Sequence, residues 1–265
     1  MQRKIDHSMR RGLLYVSALG LAVVALGAGQ VPETGRVIGR VRLTSRVPGK
    51  PLPSTAYPRR TVGDHDAPSL PEIRNVVVYI KDAMYRSALP AMRAELRQEH
   101  ETFIPHTVAI TRGSSVDFPN GDPFFHNVFS LFDGRKFDLG LYEAGANRSV
   151  KFDKAGICYI FCNIHSQMSA VVVVVDTPYF VKMDMPGEFR IEELPYGRYQ
   201  LNVWAERCAP ETLKAASRQI TVDGPRVTLP PIQLRESRDL ITVHPNKHGK
   251  DYETPVFSSP IYTQP

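Results

Sequence analysis

Gly156-Ile-Cys-Tyr-Ile-Phe-Cys162-Asn-Ile-His165-Ser-Gln-Met168-Ser-Ala170-Val-Val-Val-Val-Val-Asp176 reads as two strands joined by a short loop. Both runs are apolar and rich in β-branched or aromatic residues, the composition that suits a pleated, buried surface. The second is almost wholly apolar, as expected for the sheet that closes a core. Upstream, His106-Thr-Val-Ala-Ile-Thr111 is a strand, Arg112-Gly113 a turn and Ser115-Val-Asp-Phe118 a further strand. Asn120-Gly-Asp-Pro123 is turn chemistry leading into Phe124-Phe-His126-Asn-Val-Phe-Ser130, and Asn147-Arg-Ser-Val-Lys-Phe-Asp153 is another strand.

Farther out the pattern stays β. Val37-Ile-Gly-Arg-Val-Arg-Leu43 alternates apolar and polar, and Asn75-Val-Val-Val-Tyr-Ile-Lys81 is strongly β-branched. Residues 45–72 carry six prolines between these strands and read as a loop longer than a compact domain usually holds. Residues 84–100 include Ala91-Met-Arg-Ala-Glu-Leu-Arg-Gln-Glu99, the one passable helical stretch, or else an irregular crossover. Gly187-Glu-Phe-Arg-Ile191, Leu194-Pro-Tyr-Gly197 and Arg198-Tyr-Gln-Leu-Asn-Val-Trp204 alternate around a Pro/Gly turn, with short strands at 218–223 and 226–229. The polar, Pro-rich residues 236–265 read as a tail extended over the surface or poorly ordered. The expectation is an all-β chain of 265 residues in one or two domains.

Four residues at the apparent strand ends share one chemistry. Cys162, His165 and Met168 are spaced two residues apart, and His126 stands 36 residues before Cys162. Two imidazoles, a thiolate and a weak axial thioether form the donor set of trigonal copper electron-transfer sites. Zinc could use the same donors, but it rarely recruits a neutral Met thioether. The bland alternative, a buried core Cys162 with surface histidines, does not explain why all four fall at strand ends. Asn127, beside His126, is placed to tie the ligand loops together by side-chain hydrogen bonds to backbone around Cys162. Cys158 brings the loop close to a two-cysteine binuclear copper pattern, yet in an extended strand it lies roughly 13 Å before Cys162 and reads as core. Cys208 has no evident partner. His106 reads as a packing or hydrogen-bonding residue, and His244 and His248 as surface residues of the tail or, alternatively, a weak second copper site.

Charge and termini narrow the setting. The formal charge is +6, but residues 1–30 hold four basic residues against Asp6, leaving 29 basic and 26 acidic residues elsewhere. That balance, with no basic run interleaved with aromatics, speaks against nucleic acid. Arg3, Lys4, Arg10 and Arg11 precede an apolar stretch from Gly12 to Ala28, which reads as a signal peptide or a single membrane anchor in the form of an N-terminal hydrophobic helix. Either places the rest of the chain outside the cytoplasm. Three cysteines speak against a disulfide framework, since at least one stays unpaired.

The pieces Phe103-Ile-Pro-His106, Phe118-Pro-Asn-Gly-Asp122, Phe125-His-Asn-Val-Phe-Ser130, Lys136-Phe-Asp-Leu-Gly-Leu-Tyr142, Phe152-Asp-Lys-Ala-Gly156 and Cys162-Asn-Ile-His-Ser-Gln-Met-Ser-Ala170 resemble a cupredoxin. More narrowly they resemble the methylamine-utilisation-like or plastocyanin-like proteins of the bacterial periplasm, with an amicyanin-like ligand loop. The resemblance covers about residues 103–176 and implies a Greek-key β-sandwich with one copper held by His126, Cys162, His165 and Met168. The flanks resemble a carboxypeptidase-regulatory-like β-sandwich, begun by residues 31–82 and completed by 177–235, with 83–102 as a connecting segment. The implied role is a type 1 copper electron carrier of the periplasm, soluble or tethered to the inner membrane. Its partner would be a redox protein, such as a cytochrome c or a dehydrogenase-like donor. Copper delivery, or a structural part in an envelope complex, is the competing expectation. An enzyme is disfavoured, because four protein donors leave no open coordination position.

Overall fold

In the computed structural model the described residues are 33–45, 74–81, 83, 85, 88–131, 135–237, 246–248 and 250. The expected N-terminal hydrophobic helix, the Pro-rich stretch, His244 and most of the tail lie outside them. Among the described residues no helix is long and apolar enough to cross a membrane.

Apart from one short helix, the regular structure of the described residues is all strand. In order it forms β1 (Thr34–Ser45), β2 (Val76–Lys81), β3 (Arg93–Glu95), β4 (Arg97–Glu99), β5 (Thr102–Ile104), β6 (Thr107–Thr111), β7 (Ser115–Pro119), β8 (His126–Ser130) and β9 (Phe137–Tyr142). Then come β10 (Asn147–Lys151), β11 (Gly156–Phe161), β12 (Ser169–Val175), β13 (Phe180–Met183), β14 (Glu188–Pro195) and β15 (Gly197–Ala205). Helix α1 (Pro210–Ala216) precedes β16 (Arg218–Val222), β17 (Arg226–Thr228) and β18 (Ile232–Arg235).

Two cores account for these strands. In the first, the sheet β14-β1-β17, with β18 also on β1, faces the sheet β13-β2-β15-β16. Between them lie Val37 and Val41 of β1, Val76, Val78 and Ile80 of β2, Phe189 and Ile191 of β14, and Leu201 and Val203 of β15. The long strand β1 pairs antiparallel with β14 on one edge, and in parallel with β17 and then β18 on the other. Gly39 sits opposite Phe189 in that ladder. A Cβ at Gly39 would meet the Phe189 ring at 2.4 Å, so the ring lies where only glycine leaves room.

In the second core, the sheets β10-β7-β3 and β6-β12-β11-β8-β9 enclose Leu96, Phe118, Val128, Phe152, Ile160, Val172 and Val174. Strand β2 pairs along β15, from Val76 opposite Ala205 to Lys81 opposite Gln200, although more than a hundred residues separate them in the chain.

A third apolar cluster joins the two cores. Val171, Val173 and Val175 of β12 meet Val77 of β2 and Trp204 of β15, while Ala170, Val172 and Val174 turn the other way, into the second core. Successive side chains of a strand point to opposite faces. A strand buried on both faces therefore reads as one apolar run, and this is why 170–175 lacks alternation.

Two expectations are corrected here. Arg93–Glu95 and Arg97–Glu99 are strands, not helix, and the described helix is Pro210–Ala216. The segment expected as a connector, 83–102, contributes to the second sandwich: β3 pairs with β7, β4 with β5, and Leu96 is fully buried in that core. Backbone pairing overrides the helical look of Arg93-Ala-Glu-Leu-Arg-Gln-Glu99: Ala94, Leu96 and Gln98 are covered while Arg93, Glu95 and Arg97 stay exposed, the period of two that a strand requires.

Candidate metal centre

The strand order brings the proposed ligands to one end of the second sandwich. β8 lies next to β11 in its sheet, with Phe129 opposite Phe161, so His126 at the start of β8 stands beside the loop that follows β11. That loop is a closed turn: the Cys162 N–H donates to the Met168 carbonyl at 3.1 Å, and the Met168 N–H to the His165 carbonyl at 3.0 Å. Cys162 and His165 are thereby folded back toward β8.

Three donor atoms converge. Cys162 Sγ lies 3.8 Å from His126 Nδ1 and 3.7 Å from His165 Nδ1, and the two Nδ1 atoms are 3.2 Å apart. An ion with metal–nitrogen bonds of about 2.0 Å and a metal–sulfur bond of about 2.3 Å, at the centre of a trigonal plane, needs edges of about 3.5 Å (N···N) and about 3.7 Å (N···S). The triangle matches those edges within a few tenths of an ångström, so the three residues fit a single metal ion. His126 and Cys162 are fully buried, Met168 is 1% exposed in the same core cluster, and His165 is half-buried. Phe124 packs beside both imidazoles, with ring centroids 5.2 Å from His126 and 5.7 Å from His165.

Electrostatics favour a thiolate. Burial alone would raise the Cys162 pKa, but His126, His165 and the backbone N–H groups of Asn127 and His165 bring it down to about 6. Burial also opposes charging His126, yet its contacts with Cys162 and Asp122 raise its pKa. In the metal-free protein the Cys162 thiolate should therefore be present above about pH 6 and lost as pH falls through that value. Ultraviolet titration of thiolate absorption in native and Cys162→Ser protein checks this. A midpoint in the ordinary thiol range would contradict it.

Asp122, not expected from the sequence, also belongs to the site. Its Oδ2 lies 2.8 Å from His126 Nε2, the ring nitrogen that faces away from Cys162. The carboxylate is itself held by the backbone N–H of His100 (2.7 Å) and of Glu101 (3.0 Å). These two residues form the β4–β5 turn and take the left-handed conformation, φ 54° and 57°, the pairing that tight hairpins favour. Burial would raise the Asp122 pKa, but the N–H groups of Glu101 and His100 and the His126 ring together hold it below the usual carboxylate range. Asp122 thus fixes the His126 ring and its tautomer, leaving Nδ1 free to face the other donors. The available signal was an acidic residue four positions before the histidine; in Asn120-Gly-Asp-Pro123 it read only as turn chemistry. Asp122→Leu should lower metal affinity by about 10–100-fold, measured by competition with a chelator of known affinity.

Other candidates fall elsewhere. Cys158 is buried near Ser130 Oγ (3.2 Å) and is no part of the donor cluster. Cys208 belongs to the first core, where burial pushes its pKa up to about 11. His106 meets Glu206 at 2.7 Å, and His248 is exposed. The Asn127 carboxamide does not reach the Cys162 loop; its Nδ2 donates to Asp138 Oδ1 (2.6 Å) and the Gly140 carbonyl (3.0 Å) on β9. It is the Asn127 backbone N–H that serves the sulfur.

No protein-family model matches the chain, and no curated protein matches it. Among solved structures it is similar to a purple cupredoxin from Nitrosopumilus maritimus, at 20% identity over 31% of this chain and 96% of that one, TM-score 0.28. It is similar to amicyanin from Paracoccus versutus at 21% identity over 37% and 97%, TM-score 0.28. It is also similar to a Cu-containing nitrite reductase from Thermus scotoductus SA-01 at 22% identity, over 36% of this chain but 25% of that one, TM-score 0.31.

Proposed function

We propose that the protein is a periplasmic electron carrier holding one mononuclear copper at His126, Cys162, His165 and Met168. The observation that carries this reading is the convergence of two Nδ1 atoms on a buried sulfur whose pKa is lowered to about 6. Copper bound there would supply a one-electron Cu(I)/Cu(II) couple. The chain's own residues do the rest. Cys162 offers the thiolate, Asp122 and the β4–β5 turn hold His126, and the closed 162–168 turn holds His165 in place. Burial of His126, Cys162 and Met168 keeps water and loose ligands away, which suits a carrier better than an exchangeable delivery site. With Met168 as the fourth donor no position would be left for substrate, so no catalytic step is assigned.

His165 is the half-buried edge of the site, and Phe125 (55% exposed) and Ile164 (46% exposed) stand beside the two histidines in the chain. A small apolar rim of this kind suits the weak encounters of electron carriers. The partner would be a redox protein such as a cytochrome c or a dehydrogenase-like donor, and the basic and apolar residues 3–28 would direct the chain to the periplasm or tether it to the inner membrane.

Voltammetry of copper-loaded protein tests the reading: one reversible one-electron wave is expected, and no wave would overturn it. Met168→Leu should keep copper and move the wave to higher potential, because losing a weak axial donor disfavours Cu(II) relative to Cu(I). A tenfold change in relative affinity corresponds to about 59 mV. An unchanged or lower potential would remove Met168 from the ligand set.

A further inference from the structure

We infer that Lys247, in the C-terminal tail, is a positioning residue that clasps the two ligand-bearing segments together from outside. The Lys247 backbone N–H donates to Asn163 Oδ1 at 2.9 Å, and Asn163 directly follows Cys162. The Lys247 ammonium lies 2.9 Å from Asp138 Oδ2. The other oxygen of Asp138 accepts from Asn127 Nδ2 at 2.6 Å, and Asn127 directly follows His126. One tail residue thus bonds directly to the segment that follows Cys162 and reaches the one that follows His126 through Asp138.

The tail presents Lys247 in a structured turn. Asn246 Oδ1 accepts from the N–H of His248 (2.9 Å) and of Lys250 (3.1 Å), and the Asn246 N–H donates to the Lys250 carbonyl at 2.7 Å. An asparagine bonding backbone two residues on is a standard way to fix a turn. On the receiving side, Asp138 is held below the usual carboxylate range despite burial that would raise it, with Lys247 first among the groups that lower it.

The clasp spans the seam between β8 and β11. β8 and β11, which carry His126 and lead into Cys162, pair at Phe129 and Phe161, and Ser130 Oγ meets Cys158 Sγ across the same seam at 3.2 Å. An outside tie across that seam limits how far the His126 and Cys162 segments can separate. For a carrier this restrains the ligand frame in both oxidation states and slows loss of the metal; that consequence rests on the copper reading, while the clasp itself does not.

The test uses the full chain with Lys247→Met, which removes the ammonium, and Lys247→Pro, which also removes the N–H. Two measurements are made: hydrogen exchange of the 163–168 amides in metal-free protein, and the rate at which copper-loaded protein yields its metal to a chelator. The ion pair is partly exposed, 30% and 40% for the two side chains, so its loss should raise both rates by about two- to fivefold. Lys247→Pro should raise them further, with the global unfolding midpoint little changed. High salt should accelerate native protein toward Lys247→Met and leave the variant nearly unmoved. Native-like exchange in Lys247→Pro would overturn the clasp. If native protein takes up no copper, the copper reading fails, and exchange in the metal-free proteins still decides the clasp.

Discussion

Cys162→Ser protein should fold, and should lose entirely any intense thiolate-to-copper absorption that the native protein shows. The serine hydroxyl is close in size but stays protonated at neutral pH, so the change removes the charged donor and spares the packing. In the native chain the thiol is brought to about pH 6 by the two imidazoles and two backbone N–H groups, an arrangement with no purpose in a merely buried cysteine. Cys158→Ala should keep the absorption nearly unchanged, because its sulfur faces Ser130 and the Arg135 carbonyl and is not among the converging donors. Cys208→Ala should keep it as well, since that residue lies in the other core. A band that survives in Cys162→Ser protein, or disappears in Cys158→Ala protein, would assign the thiolate to the wrong cysteine. Absorption spectra of the four copper-treated proteins decide between these outcomes.

Trp204→Ala should destabilise the fold by about 3–5 kcal/mol, the usual cost of deleting a large aromatic from a packed interior. Trp204 is 6% exposed and packs with Val77, Val171, Val173 and Val175 between the two cores. The cavity would open on the face of β12, whose opposite side carries Val172 and Val174 of the metal-bearing sandwich. Both cores should therefore unfold together, in one transition at lower temperature, while copper absorption measured well below that transition stays native. Calorimetry and copper absorption followed through the melt provide the check. Two separate transitions would mean that the shared valine face does not couple the cores.

Much of this was legible because the signals were local. Cys162, His165 and Met168 occupy one short turn, so their chemistry shows without knowledge of the fold, and the β-branched runs at 75–81 and 170–175 announce strands by composition. What was not legible depends on partners distant in the chain. Arg93-Ala-Glu-Leu-Arg-Gln-Glu99 has helix-forming composition, and only pairing with β7 and β5 makes it strand. Asp122 has the look of a turn residue because the N–H groups that hold its carboxylate toward His126, those of His100 and Glu101, stand 22 and 21 residues away. Lys247 lies 84 residues beyond Asn163, in a tail whose polar, Pro-rich composition carries no sign of a contact. The apolar run of β12 hinted at burial on both faces, but not that its outward face would meet Val77 and Trp204.

Adding Cu(II) in steps to metal-free native protein, while its visible absorption is recorded, tests the copper–thiolate site itself. An intense band that grows to saturation at one copper per chain, bleaches with reductant and returns with oxidant is the expected result. Only weak absorption from folded, copper-loaded protein would contradict a copper–thiolate electron-transfer site at His126, Cys162 and His165.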